Sequence, residues 1–151
     1  MRGPTLVRVA LGLAAWSSVL WLAGCGASPG TPAAHPSTKP IPGCTTSAAL
    51  SHVTVDATSS FRFTPADVCL RVGGTVTWTN TTTDLDHTST DEPSLAASAS
   101  DATIPEGGHG WNLKLPSGRS AHLTFRLEGV YHYFCIPHET LGMLGIVDVV
   151  G

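Results

Sequence analysis

A thiol, an imidazole and a thioether lie close together near the end of the chain, as Cys135, His138 and Met143. Their spacing is Cys-x2-His-x4-Met, and they directly follow a strand-like run at residues 131–134. Soft sulfur donors beside imidazole suit copper, and a Cys with two His and a weakly bound Met is the ligand set of a one-electron copper centre. The pattern therefore indicates a copper site that carries single electrons.

Each of these residues alone has a simpler interpretation, as a core thiol, a loop histidine or a gap-filling methionine. Their shared spacing favours a metal site, and Met143 is the only methionine besides Met1. Structural zinc fits less well, because it prefers closed sets of Cys and His without a thioether.

The composition is that of one turn-rich β domain. The chain has 151 residues, of which 13% are charged, with 16 Gly and 11 Pro. This length accommodates one domain, and turn residues between short apolar runs favour strands. Lys and Arg total eight, are scattered, and leave a formal net charge of -3. The sequence therefore lacks the basic patch expected of a nucleic-acid-binding protein.

Residues 1–24 are predicted to be an export signal. Arg2 and Arg8 supply a positive start, and the uncharged apolar stretch that follows is shorter than the ~20 residues that a transmembrane helix needs. The run from Leu22 to Cys25 resembles the lipobox of bacterial lipoproteins, which implies that Cys25 is lipidated and holds the protein at a membrane face. The alternative is an ordinary cleaved signal with an incidental cysteine.

The cysteine count is consistent with export to an oxidising compartment, where thiols usually pair. With Cys25 assigned to lipid, three of the four cysteines remain. The simplest partition pairs Cys44 with Cys69 and leaves Cys135 for a metal. The alternative is that Cys44 and Cys69 are buried free thiols.

Residues 25–43 are predicted to be a tether, and residues 44–151 the folded domain. The tether is rich in Pro, Gly and Ala and has almost no apolar bulk, so an extended chain is expected. From Cys44 onward, apolar and polar residues alternate as in half-buried strands. The apolar positions of these strands are 53–55, 68–72, 76–78, 113–115, 123–127, 131–135 and 146–150.

Short strands separated by turn signals predict an all-β fold, an antiparallel β-sandwich of Greek-key type. Gly73 and Gly74 are expected to end the second strand. Residues 84–110, rich in Asp, Ser, Ala and Gly, are expected to be loops with a short strand or helix.

The run at residues 129–149, which contains Cys135, His138 and Met143, resembles the cupredoxins, the small blue-copper proteins that include plastocyanin, amicyanin and pseudoazurin. The resemblance extends over roughly residues 53–150. It implies a cupredoxin-like sandwich that holds one type 1 copper ion per chain. His87 follows the strand that contains residues 75–80, where these proteins place their first ligand. The resemblance thus implies His87, Cys135 and His138 as trigonal ligands and Met143 as the axial ligand.

Two positions depart from the usual cupredoxin pattern. Thr88 stands where an Asn usually ties the two ligand loops together, so the rigidity around the ligands is in question. Phe134 rather than Tyr precedes Cys135, so no phenol hydroxyl is present there for a partner contact.

The sequence thus predicts an electron carrier rather than an enzyme, a monomer that shuttles electrons between redox proteins. It is expected outside the cytoplasm, periplasmic or on the outer face, and attached to the membrane through Cys25. Redox partners are expected to dock on apolar residues around His138, namely Ile136, Pro137, Leu141 and Leu144. An acidic flank near His87 is either a solvated loop or a surface that steers basic partners; it comprises Asp84, Asp86, Asp91 and Glu92.

Two other copper-dependent functions would require ligands that the sequence lacks. A non-redox copper-binding or copper-delivery lipoprotein would favour several exposed Met or His ligands, and the sequence after the signal has one Met. A copper oxidase or nitrite reductase would need further copper ions, usually held by His-x-His pairs, and the sequence contains no such pair.

Overall fold

The computed structural model describes residues 39–151. The predicted signal, Cys25 and residues 26–38 of the predicted tether lie outside the described residues. Among the described residues, no helix is long and apolar enough to cross a membrane. The backbone N–H of Ile41 donates to the Asp148 carboxylate at 2.8 Å, so contacts with the folded domain begin slightly before Cys44.

The described residues form eight strands and two short 3-10 segments, which confirms the predicted all-β class. The strands are β1 (Leu50–Ala57), β2 (Phe63–Thr64), β3 (Asp67–Asn80), β4 (His87–Asp91), β5 (Trp111–Leu115), β6 (Ser120–Thr124), β7 (Gly129–Phe134) and β8 (Leu144–Val150). The 3-10 segments are Pro93–Leu95 and Ile136–Leu141. In the loop-rich region at 84–110, β4 and the first 3-10 segment are the regular elements that the structure describes.

Strand β3 continues through the glycine pair that was expected to end it. Its first half, residues 67–71, pairs with β8, and its second half, residues 75–79, pairs with β6. Gly73 has a φ of 81°, and a Cβ on Gly74 would lie 2.6 Å from Cγ of Leu70. Glycine therefore lets one long strand bend and change partners, as glycines in strand interiors often do.

The sandwich prediction assumed antiparallel neighbours, and the strand directions are in fact mixed. Antiparallel pairs are β1–β2, β3–β6, β4–β5, β4–β7 and β7–β8. Strand β3 runs parallel to β1 and to β8. β1 and β3 are parallel because the two-residue strand β2, which is antiparallel to β1, reverses the chain once more between them.

Trp78 joins the two layers of the fold. Its ring centroid on β3 lies 5.9 Å from that of Trp111 on β5 and 5.4 Å from that of Tyr133 on β7. Neither β5 nor β7 is hydrogen-bonded to β3, so the sheet folds over on itself around this fully buried ring. The predicted two-layer sandwich is therefore confirmed.

The register between β4 and β7 places the predicted ligands at one end of the sandwich. His87 is the first residue of β4, and Cys135 directly follows β7. Thr90 pairs with Phe134 across the antiparallel β4–β7 contact. Continuing this register brings the start of β4 beside the loop that connects β7 to β8.

Cys44 and Cys69 form a disulfide, with Cα atoms 5.4 Å apart. Cys69 lies on β3 opposite Asp148 of β8, so the bond attaches the N-terminal segment to the middle of the sheet. Closing a loop with a sequence separation of 25 stabilises a fold by about 3 kcal/mol in the loop-entropy model. Among the described cysteines Cys135 is the free one, and it is buried.

Asp91 lies inside the fold, which corrects its assignment to the acidic flank. Strand alternation places Asp91 on the same face of β4 as His87 and Ser89, and its side chain is fully buried. Neither carboxylate oxygen has a hydrogen-bond partner among the described residues. Burial, with a smaller contribution from the charge of Glu92 and a partial offset from the nearby backbone N–H of Thr103, raises the pKa of Asp91 from 3.8 to about 8. At neutral pH this side chain is therefore mostly a neutral acid.

Replacing Asp91 with Asn should raise the free energy of unfolding at about pH 8 and change it little near pH 4. In the unfolded wild-type chain Asp91 ionises near its ordinary pKa, whereas in the folded chain it stays protonated up to about pH 8. Wild-type stability therefore falls as the pH rises through this window. A pKa shift of about 4 units sets an upper limit of about 5 kcal/mol on the loss.

Denaturant unfolding of the metal-free protein across this pH range would measure the difference between the two chains. Glu106→Gln, which removes an exposed carboxyl group, is the matched control. The same pH dependence in wild type and Asp91→Asn would contradict the interpretation.

Candidate metal centre

Three donor atoms from two segments converge at this end of the fold. Sγ of Cys135 lies 3.5 Å from Nδ1 of His87 and 3.4 Å from Nδ1 of His138. The two imidazole nitrogens are 3.1 Å apart. His87 and Cys135 are buried, whereas His138 is half-buried. The structure thus brings together three of the four residues named as ligands from the sequence.

This spacing fits one bound metal ion. Donors bound at about 2.0–2.3 Å in a plane around an ion lie roughly 3.5 Å from one another, close to the three observed distances. Two imidazole nitrogens at 3.1 Å would repel through their lone pairs unless a proton or a cation lay between them. A thiol with two imidazoles is a donor set that suits copper, so the residues present fit the predicted metal.

Met143, the fourth residue, is fully buried at the end of the same loop. The N–H of Cys135 donates to the carbonyl of Met143 at 3.0 Å, and the N–H of Met143 donates to the carbonyl of His138 at 3.2 Å. Gly142 ends the 3-10 segment with a φ of 81°, a conformation that glycine adopts at no steric cost. These bonds close the loop on itself and place the backbone of Met143 beside both other loop residues.

Thr88 links the two segments at the position where cupredoxins usually carry Asn. Its Oγ1 accepts a hydrogen bond from the N–H of Ile136 at 2.9 Å, and its own N–H donates to Sγ of Cys135 at 3.3 Å. The hydroxyl of Thr90 donates to the same Oγ1 at 2.9 Å. A threonine hydroxyl therefore makes the bond between the two segments despite its shorter reach.

Two residues of the β1–β2 connection also support the centre, and sequence reasoning missed both. The ring centroids of Phe61 and His138 are 4.5 Å apart, with the planes inclined at 33°. Arg62 donates to the carbonyl of Leu141 at 2.8 Å. Phe61 has a φ of 57°, which is rare for a bulky residue. No sequence pattern marks these contacts, because they depend on the shape of the connection.

Burial sets the protonation states of the metal-free site. It lowers the pKa of His87, with a further lowering from His138 and a partial offset from Asp86. Burial also lowers the pKa of His138. It raises the pKa of the Cys135 thiol, an effect partly offset by the hydrogen bond from the N–H of Thr88. Both imidazoles are therefore neutral at pH 7, and a metal ion must displace the thiol proton as it binds.

His138 reaches the surface within an apolar rim. Ile136 and Leu141 are exposed by 39% and 51%, Pro137 is exposed, and Leu144 is half-buried. The other described histidines lie away from the site: His52, His109 and His122 are exposed, and the ring of His132 hydrogen-bonds to the carbonyl of Ser100. In the acidic flank, Asp84 and Asp86 are exposed, and Glu92 is half-buried.

Replacing Thr88 with Val should loosen the link between the two segments while it preserves the shape of the side chain. The N–H of Ile136 loses its acceptor, so the free energy of unfolding should fall by about 1 kcal/mol. Copper affinity, measured by competition with a chelator, should fall roughly 10- to 100-fold. Thr124→Val on the exposed face of β6 is the control. Unchanged copper affinity in Thr88→Val would show that the link is dispensable.

Residues 49–150 match the family described as copper binding proteins, plastocyanin/azurin family. Over 87 residues, 58% of this chain, the sequence is 36% identical to a chloroplastic plastocyanin from Tetradesmus obliquus and spans 57% of that protein's length. It is 33% identical over 87 residues to a plastocyanin from Scenedesmus fuscus, of which it covers 85%. Among solved structures, reduced auracyanin from Roseiflexus castenholzii has a TM-score of 0.51 at 21% identity, over 68% of this chain and 99% of auracyanin.

The matched stretch contains His87, Cys135, His138 and Met143 and covers more than half of the chain. The auracyanin likeness concerns the fold alone and confirms the cupredoxin-like sandwich. The family match confirms copper as the cofactor, one type 1 ion per chain. The chain belongs to the plastocyanin/azurin family of copper-binding proteins.

Proposed function

We propose that this protein carries single electrons between redox proteins outside the cytoplasm, through a copper ion held by His87, Cys135, His138 and Met143. The observation that supports it most is the convergence of three soft or borderline donor atoms within 3.1–3.5 Å of one another. The backbone of Met143 is hydrogen-bonded to Cys135 and to His138, and its buried side chain would supply the fourth donor. A thiol, two imidazoles and a thioether together are the donor set of electron-transfer copper sites.

The residues of the site are held in place by bonds that do not involve a metal. Cys135 is fixed by the N–H of Thr88 and by the carbonyl of Met143. Phe61 packs against the ring of His138. Bound copper would supply the one-electron chemistry by changing between its two oxidation states. Because the donors are fixed beforehand, we expect them to move little when the charge of the centre changes.

The half-buried ring of His138 is the proposed point of contact with partners. It lies next to Ile136 and Pro137, whose exposed apolar surfaces suit a brief encounter that buries less than about 1,200 Å². Asp84 and Asp86 leave an exposed acidic group near His87. We interpret it as a surface that steers a basic partner, an effect that added salt would weaken.

Export and membrane attachment form the second part of the proposal. Residues 1–24 have the composition of an export signal, and Cys25 follows in a lipobox-like run. The disulfide between Cys44 and Cys69 is consistent with an oxidising compartment.

Copper delivery is the weaker alternative. Handing over a metal ion requires ligands that a recipient protein can reach, whereas His87 and Cys135 are 2% and 0% exposed. Such burial favours retention of copper and exchange of electrons alone.

Replacing Cys135 with Ser should abolish the intense visible absorption of the oxidised copper protein. That absorption requires a thiolate bound to Cu(II), and an alcohol oxygen does not replace the thiolate as a soft donor. Absorption spectra of the two copper-loaded proteins make the comparison. Thr140→Ser, on an exposed position of the same loop, should keep the colour. A Cys135→Ser protein that stays blue would exclude thiolate ligation.

Replacing Met143 with Leu should keep the copper and raise the reduction potential. The buried site favours an apolar side chain of similar volume, so the fold should persist, while the loss of a sulfur donor disfavours Cu(II) relative to Cu(I). Redox titration followed by visible absorption measures the shift. A potential equal to that of the wild type would show that Met143 does not act as the axial ligand.

A further inference from the structure

Glu139, the residue after His138, turns its carboxylate away from solvent and into a neighbouring backbone segment. The side chain is 7% exposed. One oxygen accepts from the N–H of Ala97 at 2.8 Å, and the other accepts from the N–H of Ser98 at 3.0 Å. Two N–H donors on two oxygens are the pattern of an ionised carboxylate, and charge-assisted bonds of this kind are stronger than neutral ones.

The segment that receives Glu139, residues 92–103, continues from β4, which begins at His87. The same segment is tied to β7, because the carbonyl of Ser100 contacts the ring of His132 at 3.2 Å. It is also tied there by backbone bonds between Thr103 and His132, at 3.2 Å each. The segment is therefore a fixed support, and Glu139 attaches the ligand loop to it.

Glu139 completes a three-point attachment of the ligand loop. Thr88 holds the loop at Ile136, and Arg62 holds it at Leu141. Phe61 packs against the ring of His138, but these contacts leave the backbone at the middle of the loop without a hydrogen bond to another described segment. The carboxylate of Glu139 supplies that attachment at the adjacent residue.

We propose that Glu139 is a positioning residue for the copper centre, an inference that rests on the function proposed above. Its two hydrogen bonds hold His138 in place before the metal binds, and they slow the loss of the metal afterwards. Its buried negative charge also lies one residue from a ligand. That charge stabilises the more positive, oxidised state of the centre and therefore lowers the reduction potential.

The test compares the full chain in wild-type, Glu139→Gln and Glu139→Ala forms. Gln keeps the shape but turns an amide donor toward one of the two backbone N–H groups, so one bond is lost. Ala removes both bonds. Asp84→Asn is the matched control, since it removes one negative charge at an exposed position near His87 without touching the Glu139 contacts.

Three readouts are measured. The first is amide hydrogen exchange at Ala97 and Ser98 in the metal-free protein, which should accelerate at one of them in Glu139→Gln and at both in Glu139→Ala. The second is copper affinity, expected to weaken roughly 10- to 100-fold, most in Glu139→Ala. The third is the reduction potential, which should rise in both variants and by more than in Asp84→Asn. A purely structural role would leave the potential unchanged.

If both variants have the same exchange rates, copper affinity and reduction potential as the wild type, this inference is wrong, even if the wild-type protein is blue. If the wild-type protein binds copper without the blue spectrum, the proposed function fails. The exchange and affinity measurements would then still decide whether Glu139 organises the loop.

Discussion

The pairing of Thr90 with Phe134 between β4 and β7 is the constraint on which the metal centre depends. His87 and Cys135 are 48 residues apart in the chain, and this register brings their segments together. A shift of one residue would turn His87 or Cys135 to the opposite face of the sheet. The bond from the N–H of Thr88 to Sγ of Cys135 and the bond from Ile136 to Thr88 extend the same register into the site.

The centre combines a polar donor set with a largely buried position. Cys135, His87 and Met143 are all buried, and burial keeps the imidazoles and the thiol uncharged before a metal binds. Hydrogen bonds from other segments hold the ligand loop at three residues. They involve the hydroxyl of Thr88, the side chain of Arg62, and the backbone N–H groups that bind Glu139. The rest of the sandwich, with Trp78 between the layers and the Cys44–Cys69 bond at the N-terminal segment, packs beneath this loop.

The sequence allowed the class of fold and the loop that contains Cys135, His138 and Met143 to be predicted, because both leave local patterns. Alternating apolar residues mark the strands, and the Cys-x2-His-x4-Met spacing marks the loop. The features that the sequence did not reveal depend on how strands far apart in the chain are paired. Gly73 and Gly74 end a strand in most local contexts, yet here they bend one between two partners. Aspartate is usually a surface residue, but the alternation of side chains along β4 turns Asp91 into the core. The contacts of Phe61 and Glu139 join segments that are far apart in the chain.

The most direct test of the account is the visible absorption and electron paramagnetic resonance of the wild-type protein loaded with one equivalent of Cu(II). Donation from the sulfur of Cys135 in a site with two imidazoles predicts an intense blue colour and an unusually small copper hyperfine splitting. A colourless protein with the splitting of ordinary tetragonal Cu(II) would contradict the account, because the metal would then lie outside the cluster that Cys135, His87 and His138 form.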